Sequence, residues 1–123
     1  MTAGAAILAA SASAAAPTTA ANVSPAVAHN VQCLLAMGAV SQSPSVDENG
    51  KDQALRASMF FAGEVFGGDP DIDLTAAARA EAPKLDDSTI ASLQAQCVEE
   101  LKKRGAQISA AGDALEQDSV PKK

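Results

Sequence analysis

Four segments of the chain carry apolar residues at helical spacing, and the first opens at Ser24-Pro25. A serine before a helix accepts a hydrogen bond from a first-turn N–H, and proline suits the first helical position because its missing N–H is not needed there. Val27, Val31, Leu34, Leu35 and Gly38 form one stripe, with Asn30, Cys33, Met37 and Val40 beside it. Only His29, Gln32 and the alanines are left to face away, which predicts a nearly buried helix. It stops before Ser41-Gln42-Ser43-Pro44-Ser45, and Asp47-Glu48-Asn49-Gly50 completes a loop. The second helix is expected from about Asp52 to Phe66. Leu55, Met59, Ala62 and Phe66 recur at i, i+4, i+7 and i+11 and read as its core face, widened by Phe61 and Val65. Gly67-Gly68 is expected to end it with a left-handed residue.

Asp69-Pro70 repeats the cap-plus-proline pattern and predicts a third, short helix from Asp71 to about Glu81, ended by Pro83. Asp86 is the natural N-cap of the last helix, and Leu85 and Ile90 have the spacing of a hydrophobic staple. Ile90, Leu93, Cys97, Leu101, Ile108 and Leu115 continue its stripe. Gly105 and Gly112 fall on the same face and read either as close contact with a neighbouring helix or, at Gly105, as a break. No period-two alternation and no hairpin signal occurs. The fold class is all-α, a small bundle of about four helices.

Composition changes this picture in one respect. Apolar residues make up 47% of the chain but aromatics only 2%, and alanine swells the apolar share. A core of few large side chains in a domain of this size is marginal without a covalent aid. Cys33 and Cys97 both project from apolar faces and are expected to form a disulfide between the first and last core helices. The closed loop of about 65 residues is worth roughly 4 kcal/mol in the chain-entropy model.

Charge divides the chain. No Asp, Glu, Lys or Arg precedes Asp47. Gly4-Ala5-Ala6-Ile7-Leu8-Ala9-Ala10 is a short apolar run, and the alanines and serines after it offer small-x-small cleavage sites, best after Ala12 or Ala14. Residues 1–14 are thus expected to be a signal peptide, 15–23 a flexible linker, 24–117 the helical domain and 118–123 a disordered tail. Only Met1, Thr2 and Ala3 precede the run, so the basic start of an export signal is missing, as it would be if the true start lay upstream. An alanine-rich tail is the alternative reading. Net charge is −6, from nine basic and fifteen acidic residues, with no basic stripe to neutralise phosphates. That argues against nucleic acid and against a basic membrane-surface helix.

Candidate chemistry is sparse. Asp69-x-Asp71-x-Asp73 begins like a calcium loop, but Leu74 and Ala80 stand where such a loop needs Gly and Glu. His29 is the lone histidine, expected exposed on the polar side of its helix, and no HExxH accompanies it. No Gly-x-Ser-x-Gly turn presents a nucleophile, and Ser24, Ser41 and Ser43 read as caps or loop residues. Glu99-Glu100 before Lys102-Lys103-Arg104 reads as ion pairs along a solvated face. The expectation is no enzyme, no cofactor and no metal, with another protein as the partner.

The pattern of Cys33 in the first core helix, and Cys97 followed by the charged run Glu99 to Arg104, resembles the small two-cysteine helical proteins of the bacterial cell envelope. In architecture it is similar to the periplasmic acid-stress chaperones of the HdeA type. It departs from them in lacking a Trp before the first Cys, in a longer Cys spacing and in its alanine content. The resemblance implies a periplasmic or secreted protein whose helices loosen in acid. Protonating all fifteen acids would leave nine bases and His29, a charge near +10. The expected mature chain starts between Ser13 and Ala15 outside the cytoplasm. Intact-mass measurement of native material tests this, and a cytoplasmic protein that keeps residues 1–14 would refute it.

Overall fold

The computed structural model describes residues 23–119. Four α-helices follow one another with no strand among the described residues: α1 (Pro25–Ser41), α2 (Glu48–Gly68), α3 (Leu74–Glu81) and α4 (Asp87–Ser119), a 3-10 turn at Ala82–Lys84 joining the last two. The all-α bundle is as the sequence predicts. The expected signal peptide, the linker apart from Val23, and residues 120–123 lie outside the described residues. Asp118 and Ser119, assigned to the tail, continue α4.

Each helix starts on a side chain that accepts from its first turn. Ser24 Oγ accepts from the Val27 N–H at 3.2 Å and Asp86 Oδ1 from the Thr89 N–H at 2.8 Å, as expected. Asp47 Oδ1 takes the Gly50 N–H at 2.7 Å, so Glu48 to Gly50 are helix and not loop. Asp73 caps α3 through the Ala76 N–H at 3.0 Å, moving its start from Asp71 to Leu74. Such caps contribute about 1 kcal/mol each. Gly67 and Gly68 both belong to α2, and no described residue has a positive φ. Gly68 serves close approach instead: a Cβ there would lie 2.8 Å from Val27 Cγ2.

α1 touches all three other helices. Its first half, through Val27 and Val31, packs with Val65 of α2 and with Ile72 and Ala77 around α3. Its second half, through Cys33, Ala36 and Met37, packs with Ala57 and Phe61 of α2 and Leu93 and Cys97 of α4. Ala36 is fully buried, although α1's alanines were expected to face away.

The phase of α2 differs from the expected one by a single residue. Its buried stripe is Ala54, Ala57, Ser58, Phe61 and Val65, while Leu55, Met59 and Phe66 are exposed. One residue is about 100° of rotation, enough to swap the core face for the solvent face. Small residues at 54, 57 and 58 let α1 lie close, and Phe61 fills the remaining space.

α4 docks only by its first half. Leu93 and Cys97 are its buried residues, Leu85 and Ile90 staple its start against the core, and every residue from Lys102 to Ser119 is exposed. The helix is unbroken at Gly105, and among the described residues no other helix lies within 4 Å of a Cβ placed at Gly105 or Gly112. Neither expected role of these glycines is met.

Cys33 and Cys97 are joined, with Cα atoms 5.7 Å apart, linking α1 to α4. Phe61→Ala is expected to cost about 3–4 kcal/mol and Met59→Ala under about 1 kcal/mol, with reductant lowering the melting temperature of both variants further. Denaturant titration checks this; equal costs at 59 and 61 would refute the buried phase of α2.

Candidate functional site

The disulfide decides which polar side chains meet. His29 lies one turn before Cys33 on α1, and Glu100 nearly one turn after Cys97 on α4, so the linked sulfurs bring both to one edge. His29 Nε2 stands 2.7 Å from Glu100 Oε1. A carboxylate only accepts, so Nε2 carries the hydrogen and donates it. The histidine expected to be exposed is therefore half-buried and paired across the bundle, and Glu100 faces α1 where an ion pair along its own helix was expected. Glu99 keeps that role, 3.3 Å from Lys102. With the side chains 34% and 43% exposed, the His29–Glu100 pair adds at most about 1 kcal/mol.

The pair forms one wall of an open groove of about 580 Å³ between α1, α2 and α4. Phe60 and Phe61 lie on one side, edge to face with ring centres 5.3 Å apart, and Lys103 and Arg104 on the other. An imidazole oriented by a carboxylate is half of a nucleophile-activating arrangement. The other half is missing among the described residues, since no hydroxyl bonds to His29. Ser24 is engaged as a cap, Ser41 Oγ donates to the Gly38 carbonyl at 2.7 Å, and Ser43 and Ser45 bond each other at 2.9 Å. His29, Cys33 and Glu100 also place a nitrogen, a sulfur and an oxygen within 4.8 Å of one another. The Cys33 sulfur is already bonded to Cys97, so two donors remain where a protein metal site uses three or four. No sequence signal marks the His29–Glu100 pair, because its members are 71 positions apart and only the bundle joins them.

A second polar contact holds α3 to α1. Gln32 Nε2 donates to Glu81 Oε1 at 2.7 Å, and Lys84 Nζ donates to Glu81 Oε2 at 2.9 Å, the Glu81 side chain being almost fully buried. Burial alone would raise the Glu81 carboxyl, but the hydrogen bonds from Lys84 and Gln32 and the Lys84 charge together hold it below its ordinary value. Asp86 is lowered too, first by the Thr89 backbone N–H and then by the Thr89 and Ser88 side chains. The sequence reading missed Glu81 altogether, since it sits at the end of a short helix between the exposed Ala80 and Ala82.

A carboxylate whose folded pKa is depressed stabilises fully above its unfolded value, about 4.3 for Glu, and loses that contribution as pH falls through the folded value. Glu81→Gln is therefore expected to be less stable than the native chain at pH 7, with the gap closing below about pH 4. Denaturation midpoints at pH 7, 5, 4 and 3 check this; a gap constant with pH would refute it.

No helix among the described residues is long and apolar enough to cross a membrane. No protein-family model matches the chain, and no curated protein or solved structure matches it either.

Proposed function

We propose that this chain is an exported, non-catalytic binding protein of the cell envelope, periplasmic or secreted, that holds a protein partner along the outer face of α2. The observation that carries this is the stripe of Leu55, Met59 and Phe66, which are 51%, 66% and 44% exposed. With the half-buried Ala62 they follow one line at i, i+4, i+7 and i+11, a contiguous apolar ridge rather than scattered surface residues. Ridges of this kind mark interaction surfaces, and their spacing suits the apolar face of a partner helix. The Asp52–Arg56 pair at 3.0 Å stands at the edge of the ridge as a polar rim. Export is supported by the buried disulfide, which belongs to an oxidising compartment, and by the apolar run at residues 4–10.

A second reading, an acid-stress chaperone, is favoured by one contact. Protonating Glu81 removes the ionic part of its bonds to Gln32 and Lys84 and loosens α3 from α1, uncovering Val31 and Val65. The disulfide would keep α1 and α4 tethered as that happens.

Capture from envelope extract with immobilised mature protein separates the readings. At pH 7 the native chain is expected to retain a defined protein that Leu55→Asp/Met59→Asp loses at unchanged melting temperature. Capture unaffected by that pair of substitutions would refute the α2 surface. Suppression of client aggregation at about pH 2.5 at stoichiometric ratio, absent at pH 7, would favour the chaperone.

A further inference from the structure

The exposed half of α4 has a self-complementary pattern. Gly105, Ile108, Gly112, Leu115 and Ser119 continue from Leu101, which is half-buried against its own core at the base of the arm, at alternating steps of four and three, the seam of a coiled coil, with large and small side chains in strict alternation. Ile108 and Leu115 are 66% and 70% exposed. They stand on an arm of eighteen residues, Lys102 to Ser119, about 27 Å long at 1.5 Å per residue. A monomer gains nothing by holding isoleucine and leucine in water on a helix that glycine weakens twice.

We infer that this arm pairs antiparallel with the arm of a second copy of the chain. Let two arms run in opposite directions with Ala110 level with Ala110. Leu101 then faces Ser119 of the second copy, Gly105 faces Leu115, and Ile108 faces Gly112. Every large side chain meets a small one, and each glycine leaves room for a knob from across the seam. The flanking charges agree with the same alignment. Lys102 comes beside Glu116 of the second copy and Arg104 beside Asp118. The flanking positions that the two-fold axis brings against their own copies are Ser109 and Ala111, which carry no charge. A parallel, in-register pair would set glycine on glycine, leucine on leucine, and like charges together at both ends. The two bundles of the antiparallel pair sit at opposite ends of the paired arms. The α2 ridge takes no part, so this inference stands apart from the partner proposed for that face.

Sedimentation of the mature chain from about 10 μM to 1 mM tests it, since a seam this short is expected to associate reversibly over a range of that order. The native chain is expected to form dimers, and Ile108→Asp to remain monomeric with an unchanged melting temperature, because Ile108 is exposed and belongs to neither core cluster. Lys102→Glu/Arg104→Glu and Glu116→Lys/Asp118→Lys should each be monomeric alone and dimerise when mixed. Spin labels on Ser119→Cys should lie about 27 Å or more apart in the antiparallel pair. Leu55→Asp/Met59→Asp should dimerise like the native chain. A native chain monomeric throughout, as when residues 1–22 or a foreign helix cover the arm, would overturn the inference. So would a dimer indifferent to Ile108→Asp, or labels closer than about 12 Å, which means parallel arms.

Discussion

Everything in this small bundle hangs on the contact of α1 with its neighbours, and on its α4 side that contact is mainly covalent. α4 buries two residues, and one of them is Cys97. Leu93 alone, helped by partly buried Ile90 and Leu101, would hold a helix of 33 residues poorly. The bond to Cys33 fixes where α4 lies on α1, and through that fixes where His29 and Glu100 meet. On the opposite side α1 needs no such link, because Gly68, Ala54, Ala57 and Ser58 let α2 come close and Phe61 and Val65 fill the gap.

The helix starts were legible wherever one residue type has one local use. Ser24 and Asp86 were placed correctly because a capping side chain followed by apolar periodicity leaves little choice. Asp47 and Asp73 were missed because a nearby competitor carried a stronger local signal, a Gly-containing acidic loop in one case and an Asp-Pro pair in the other. The cysteine pairing was legible because both positions fall on apolar faces and no other cysteine competes.

The phase of α2 was not legible, and the reason is physical. Two stripes one residue apart both look apolar, one built of large side chains and the other of small ones around Phe61 and Val65. A reading weighted by side-chain size centres the face on Leu55, Met59 and Phe66 and takes Phe61 and Val65, which are buried, only as its margin. The fold selects closeness of helix axes, and that depends on what α1 presents at Cys33, Ala36 and Met37. The site was hidden for a related reason. His29 with Glu100, and Gln32 with Glu81, are partners across 71 and 49 positions, and each partner alone looks like an ordinary surface residue.

Both sulfurs of the disulfide are fully buried, and the His29–Glu100 pair lies against the Cys33 side. A thiolate must reach a sulfur directly to exchange with it. Here that approach is closed while α1 and α4 stay packed. The bond is then cut only through molecules whose bundle has opened. Once the reductant is concentrated enough to cut every opened molecule before it recloses, further reductant no longer speeds the loss, and that ceiling is a clock for local unfolding.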